Sequence, residues 1–294
     1  MTTIVARTVI DPSIVSAWFA ANARDLPWRN PETSAWGVLV SEVMSQQTPV
    51  ARVAPQWEEW MERWPTPADL AAAPTAEALR AWGNLGYPRR ALRLKECAGE
   101  VVAKHDGNVP SGVAELLELP GIGDYTARAV AAFAFEQAVP VVDTNVRRVY
   151  ARAVLGRPLA KPQKAELEWV AALLPETNAH VFSAGLMELG ALVCTATRPA
   201  CEACPLASSC AWLAAGSPPP TEEELASKKV QKFEGTDRQV RGKIMKVLRE
   251  ASAPVPQAEI DVVWPDAPQR SRALYSLLED GLAVQNDDGL FHLP

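Results

Sequence analysis

The stretch Cys194-Thr-Ala-Thr-Arg-Pro-Ala-Cys201-Glu-Ala-Cys204-Pro-Leu-Ala-Ser-Ser-Cys210 gathers four of the chain's five cysteines into one short segment. Four thiolates this close in sequence can enclose one tetrahedral metal ion or a four-iron cluster. Structural zinc usually takes two Cys-x2-Cys pairs from separated knuckles, and only one such pair, Cys201 and Cys204, exists here. The compact run favours a 4Fe–4S cluster on Cys194, Cys201, Cys204 and Cys210, with zinc or free thiols as the alternatives. Cys97 stands apart in an Ala/Leu-rich stretch and reads as a small buried hydrophobe.

From about residue 11 to residue 213 the chain carries apolar residues at three- and four-residue steps. IVSAWFAAN (14–22), AWGVLVSEVMSQQ (35–47), VAPQWEEWMERW (53–64), AEALRAWGNLG (76–86), ALRLKECAGEVVAKH (91–105) and TARAVAAFAF (126–135) all show the helical period. Pro and Gly punctuate them, and few segments alternate with period two. This predicts an all-α body over residues 1–213. Residues 214–237, with three consecutive prolines and a charge-dense stretch, read as a linker. Three helical segments and a hairpin signal at Asn286-Asp287-Asp288-Gly289 then outline a winged-helix-like domain over residues 238–294.

The ten Trp residues fall mostly at helix-like spacings, Trp57 and Trp60 for instance, and read as core. No basic region followed by an apolar run opens the chain, so a cytoplasmic protein is expected. A net charge of -6 excludes a histone-like coat on DNA but not a local basic face. Two groups of cations, Arg89, Arg90, Arg93 and Lys95, then Arg147, Arg148 and Arg152, read first as solvated helix faces.

Leu119-Pro120-Gly121-Ile122-Gly123-Asp124-Tyr125-Thr126 lies between two helical stretches. Gly121 and Gly123 let backbone N–H groups converge where a helix starts, which suits a phosphate. A helix end followed by an ordinary turn is the plainer reading. With Leu-Pro before it and an Ala-rich helix after it, the segment looks like the hairpin of a helix-hairpin-helix DNA-binding motif.

The hairpin, the acidic residue in Val142-Asp143-Thr144-Asn145 and the cysteine run together resemble the endonuclease III superfamily. Within it, Leu26-Pro27-Trp28-Arg29 and Ser41-Glu42-Val43-Met44-Ser45-Gln46-Gln47-Thr48 resemble the MutY-type adenine glycosylase branch. Leu85-Gly86-Tyr87 and Met187-Glu188-Leu189-Gly190 extend the likeness over about residues 11–213. The resemblance implies a DNA glycosylase that cuts the N-glycosidic bond of a mispaired adenine turned out of the duplex. It makes Glu42 the general acid, in an apolar setting supplied by Val38, Leu39, Val40 and Val43 that raises its pKa. Asp143 stays ionised to stabilise the oxocarbenium-like sugar, with Asn145 orienting it. Either carboxylate could instead serve its helix, Asp143 as an N-cap.

Tyr125 stands where bifunctional relatives carry a nucleophilic Lys, so hydrolysis without strand cleavage is implied. Gln47 and Tyr87 would enter the duplex, Arg29 and Glu188 would contact the flipped base, and Val50, Gly121 and Gly123 would complete the DNA contacts. Arg198 is a further candidate for phosphate. Ser45 and Pro88 depart from the branch, which usually carries Leu and a second Tyr there. The short tail departs more, because many relatives end in a larger Nudix-like domain that recognises 8-oxoguanine. The implied partner is duplex DNA with adenine opposite 8-oxoguanine or guanine, bound by a monomer. A thymine glycosylase for G:T mismatches and a non-catalytic iron–sulfur DNA-binding regulator are the alternatives.

Overall fold

The computed structural model describes residues 9–222 and 233–294, so part of the expected linker, 223–232, lies outside the described residues. Helices dominate, as the apolar spacing predicts: α1 (Pro12–Asn22), α2 (Ala35–Ser45), α3 (Val50–Arg63), α4 (Pro67–Ala72), α5 (Thr75–Trp82) and α6 (Arg89–Lys104). They are followed by α7 (Val113–Leu117), α8 (Asp124–Phe135), α9 (Thr144–Ala153), α10 (Glu166–Ala171), α11 (Ala179–Leu192) and the short α12 (Ala211–Ala214). The tail adds α13 (Asp237–Glu250), α14 (Gln257–Asp261) and α15 (Ala267–Glu279). Its strands β1 (Val284–Gln285) and β2 (Phe291–His292) pair antiparallel, Val284 opposite His292. Among the described residues no helix is long and apolar enough to cross a membrane.

The chain divides into two compact units. One gathers residues up to Val38, Ser111–Leu117 and the segment from Gly123 through the cysteine run; the other gathers Leu39–Pro110, Glu118–Ile122 and the tail.

In the first unit, α11 is the central rod. Phe182, Leu186 and Leu189 of α11 join Val15 of α1 and Val146 and Val149 of α9 in one core. Being covered by several elements, α11 is apolar nearly all round, so its sequence offers little of the periodicity that marks a half-exposed helix. Two glycines set its approach to the neighbours. A Cβ on Gly185 would stand 3.0 Å from Cβ of Phe19, and one on Gly190 would stand 2.7 Å from Cβ and 2.8 Å from the carbonyl oxygen of Asn145. A helix-interior glycine costs about 1 kcal/mol relative to alanine. The close crossing of α9 and α11 is what it permits.

The second unit is organised by tryptophans. Val53, Trp57 and Trp60 lie along one buried face of α3, and Trp60 meets Trp64 and Trp82 edge-on at 4.9 and 5.5 Å. A capping box starts α4, with the Asp69 amide donating to Thr66 Oγ1 and the Thr66 amide donating to the Asp69 carboxylate. Helix α5 stops at Trp82, earlier than the apolar pattern suggests, because Gly83 follows at φ 54°. Helix α6 starts two residues early because Pro88 pre-sets the backbone that opens it.

In the tail, Val240, Ile244 and Leu248 of α13 are buried, as are Leu274 and Leu277 of α15. The Asn286–Gly289 turn closes the hairpin, and Asn286 Oδ1 accepts from the Leu290 amide at 2.8 Å. Phe291 also pairs with Val255 through two backbone hydrogen bonds, which ties the hairpin to the segment before α14.

Gly190→Ala should destabilise the protein by about 1–3 kcal/mol through overpacking against the Asn145 backbone. A lowered thermal midpoint would report it, and an unchanged midpoint would show that the two helices can part at no cost.

Candidate functional site

The four cysteines of the run line one partly open pocket, together with apolar Val193, Ala207 and Leu213. Among the described residues, no three Cys, His, Asp or Glu side chains converge as the shell of one ion would require. Thiols spread around a shared pocket suit a polynuclear cluster better than a zinc ion with bonds of about 2.3 Å. Arg152 lies beside them, its Nη1 3.4 Å from Cys194 Sγ and its guanidinium over the Trp212 ring at 4.7 Å. Within the run, the Thr195 hydroxyl donates to the Arg198 carbonyl at 2.6 Å, and the Arg198 side chain is exposed.

Asp143 is the N-cap of α9, as its plainer reading proposed: Oδ1 accepts the Val146 amide at 2.7 Å. Its other oxygen accepts from Asn145 Nδ2 at 2.7 Å. Burial raises the Asp143 pKa above the ordinary aspartate value, opposed by these bonds and by the Arg148 cation. The helix N-terminus also favours the charged form. Asn145 Oδ1 accepts in turn from Arg148 Nη2 at 2.6 Å, and Arg148 Nε donates to the Cys194 carbonyl at 2.6 Å. Two side chains thus join the Asp143 carboxylate to the cysteine run.

The cation groups read as solvated faces divide. Arg148 and Arg152 are each 7% exposed, and both are spent on backbone carbonyls around Cys194. Arg147 pairs with Glu166 at 2.7 Å. Arg89 and Arg93 remain exposed, whereas Lys95 donates to the carbonyls of Leu70 and Ala71, and Arg90 turns inward.

Arg29 and Glu188, each read as a contact of the flipped base, pair with one another. Glu188 is 1% exposed and receives two guanidinium groups: Arg29 Nη2 at 2.9 Å and Arg24 Nη2 at 2.8 Å. Burial alone would raise the Glu188 pKa, but the hydrogen bonds from Arg24 and Arg29 outweigh it and hold the carboxyl at about 2. Arg24 escaped the sequence reading; only its position five residues before Arg29 could have suggested it.

Glu42 is half-buried on α2, and Val38, Leu39, Val40 and Val43 of the same helix are buried. Gln47 follows the end of α2 at φ 54°, and Tyr87 precedes α6 at φ 48°. Both side chains are exposed. Left-handed backbone is uncommon outside glycine and places each side chain at the tip of a tight turn. The two turns are joined by Arg90. Its Nη1 donates to the carbonyls of Val43, Met44 and Gln46 at 2.7–2.9 Å, and its Nη2 to Thr48 Oγ1, Leu85 O and Gly86 O at 2.9–3.3 Å. Burial lowers the Arg90 pKa to about 10, so the group stays charged at neutral pH.

In the hairpin, Gly121 adopts φ 79°, and a Cβ there would strike Cβ of Arg93 at 2.8 Å. Gly123 has extended backbone and is the N-cap of α8, the helix on which Tyr125 stands half-buried. Tyr125 and Met187 each pack against the cluster of Ala129, Ala132 and Val141. Val50 is half-exposed at the first position of α3.

Residues 40–172 match the model of the HhH-GPD superfamily of base excision DNA repair proteins, and residues 194–210 match the iron–sulfur binding domain of endonuclease III. Over 286 residues the chain is 57% identical to an adenine DNA glycosylase of Mycolicibacterium smegmatis, covering 97% of this chain and 96% of that one. It is 53% identical to an adenine DNA glycosylase of Mycobacterium tuberculosis, over 98% of this chain and 94% of that one. Among solved structures, a thermostable thymine-DNA glycosylase superposes with a TM-score of 0.66 at 27% identity, covering 73% of this chain and 100% of that one.

Replacing Arg90 by Gln strands several carbonyls that it now serves, and should cost about 2–4 kcal/mol. Urea unfolding would measure this, and a midpoint within error of the parent protein would contradict the bridging role.

Proposed function

The chain belongs to the adenine DNA glycosylases of the HhH-GPD superfamily of base excision DNA repair proteins, and on that premise we propose that it excises adenine paired with 8-oxoguanine or guanine, by hydrolysis alone. The observation that carries the mechanism is the setting of Asp143: a half-buried carboxylate at a helix N-terminus, with both oxygens oriented by hydrogen bonds. A group so held can face a cationic sugar without reorganising during the reaction.

Glu42 delivers a proton to the adenine ring as the glycosidic bond breaks and its electron pair passes to the departing base. Asp143 stabilises the positive charge on the sugar, and water then adds at the anomeric carbon and gives its proton to the Glu42 carboxylate, which restores the acid. Asn145 fixes the rotamer of Asp143, and Tyr125 borders the site without offering an amine, so no covalent imine with the sugar forms. Gln47 and Tyr87, exposed at the tips of rigid turns, wedge the duplex while the adenine is turned out. Arg29, oriented by Glu188, contacts the base, Val50 and the Gly121–Gly123 hairpin contact the strand, and Arg198 takes a phosphate.

The cofactor is a 4Fe–4S cluster, and Cys194, Cys201, Cys204 and Cys210 are its ligands in this reading. When bound, the cluster supplies a fixed fold to the cysteine run. Arg148 passes that order to Asn145 through the bonds described above.

Glu42→Gln should slow single-turnover excision from an A:8-oxoguanine duplex by about 100- to 10,000-fold while the variant still binds that duplex. Normal excision by the variant would refute the acid assignment, and release of thymine from G:T duplexes without release of adenine would refute the substrate.

Activity should also fall in acid as Asp143 takes up a proton, at a pH above the ordinary aspartate range because burial raises its pKa. Asn145→Ala removes a hydrogen bond that lowers that pKa, so the acid limb of the rate profile should move to higher pH. A limb that stays in place would separate Asn145 from the titration.

A further inference from the structure

We propose that Arg238, in the first turn of the tail helix α13, is a positioning residue that sets the Tyr87 side chain for entry into the duplex. The inference rests on the reading of Tyr87 as a wedge.

Tyr87 is 44% exposed and follows Gly86 in a turn outside regular structure. An exposed tyrosine would ordinarily sample several rotamers, and inserting it into stacked bases would then cost that freedom. Here Arg238 Nη1 donates to Tyr87 Oη at 3.0 Å, and the guanidinium carbon lies 5.9 Å from the ring centroid. The Arg90 guanidinium lies 5.6 Å from the same centroid. The tyrosine is thus held at its hydroxyl by the tail and along its ring by α6.

A lone contact of this kind on a protein surface would contribute little. It does not stand alone, because the tail is fastened along the whole segment that carries Tyr87. Arg80 donates to the Ala251 carbonyl at 3.5 Å, Arg249 to Asn84 Oδ1 at 3.2 Å, and Arg89 pairs with Asp280 at 3.2 Å. These three contacts fall on both sides of Tyr87 in sequence. Arg238 also lies 5.1 Å from the ring of Phe233, which is 50% exposed, so the tail sets a second aromatic beside the same cation.

The charge distribution favours this use of the tail over a groove-reading one. The outward residues of α15, the counterpart of a recognition helix, are Ser271, Arg272, Tyr275 and Glu279, and Arg272 is paired with Asp237 at 3.5 Å. A helix with that face presents almost no net positive charge to phosphates. The arginines Arg238 and Arg249 stand on α13 and meet the Tyr87 segment.

The test compares Arg238→Ala, Tyr87→Phe, the double variant and Tyr87→Ala in the full chain, each with its thermal midpoint checked against the parent. Single-turnover excision from an A:G duplex and binding to a fully matched duplex are measured for each. Arg238→Ala and Tyr87→Phe should each slow excision about 3- to 10-fold, as expected for one lost hydrogen bond. The double variant should be no slower than either, and matched-duplex affinity should be unchanged. If Tyr87→Ala loses activity while Arg238→Ala does not, the positioning role is wrong and the wedge stands. If Tyr87→Ala excises normally, the wedge itself is wrong. If Arg238→Ala weakens matched and mismatched duplexes alike and flattens the salt dependence, Arg238 is a phosphate contact and the proposal falls.

Discussion

Arg148 ties the start of α9 to the end of α11 and to the cysteine run. The last carbonyls of any helix lack intrahelical donors, and where α11 runs into the cysteine segment a side chain supplies them. Arg148 reaches across from α9 and serves the Gly190 and Cys194 carbonyls together with Asn145 Oδ1. Gly190 makes that reach possible by letting α9 approach closely. Removing the guanidinium would leave the buried Gly190 carbonyl and two half-buried acceptors without this donor near the start of the Asp143 helix, so stability and the orientation of Asp143 depend on the same bonds.

The second unit repeats the device with Arg90. A planar guanidinium can serve several carbonyls in fixed directions, which lysine's single ammonium cannot do. The result is that two exposed turns, carrying Gln47 and Tyr87, share one buried anchor. In the proposed wedge role, a rigid anchor beneath each exposed residue would meet part of the cost of ordering before DNA arrives. The tail extends the principle outward, bringing Arg238 to the hydroxyl of the same tyrosine.

A good part of this was legible in the residues. The cysteine spacing pointed to a cluster, and the pocket the four side chains line agrees with it. The apolar steps marked the half-exposed helices, and of the ten tryptophans Trp36, Trp57, Trp60, Trp64 and Trp82 are buried as read, while Trp18, Trp28, Trp169, Trp212 and Trp264 are only partly so. Asn286–Gly289 announced the hairpin. Helix α11 was hard to see because full burial erases periodicity, and the true ends of α5 and α6 depended on Gly83 and Pro88. Asp143 is the N-cap that its plainer reading proposed, and the bond that caps α9 also fixes the direction of its carboxylate.

What the sequence determined by itself was therefore the scaffold and the residue types of the site, because spacing, periodicity and turn residues act over a few neighbours along the chain. What only the tertiary structure decided was the work of the arginines. Arg90, Arg148 and Arg152 carry long apolar stems with charged heads, so the same residue suits a solvated helix face or a buried hub. The choice depends on acceptors that lie up to 47 positions away, such as the Val43 and Cys194 carbonyls. Arg24 met Glu188 and Arg238 met Tyr87 for the same reason: carbonyls, carboxylates and hydroxyls become partners only when packing brings distant segments together.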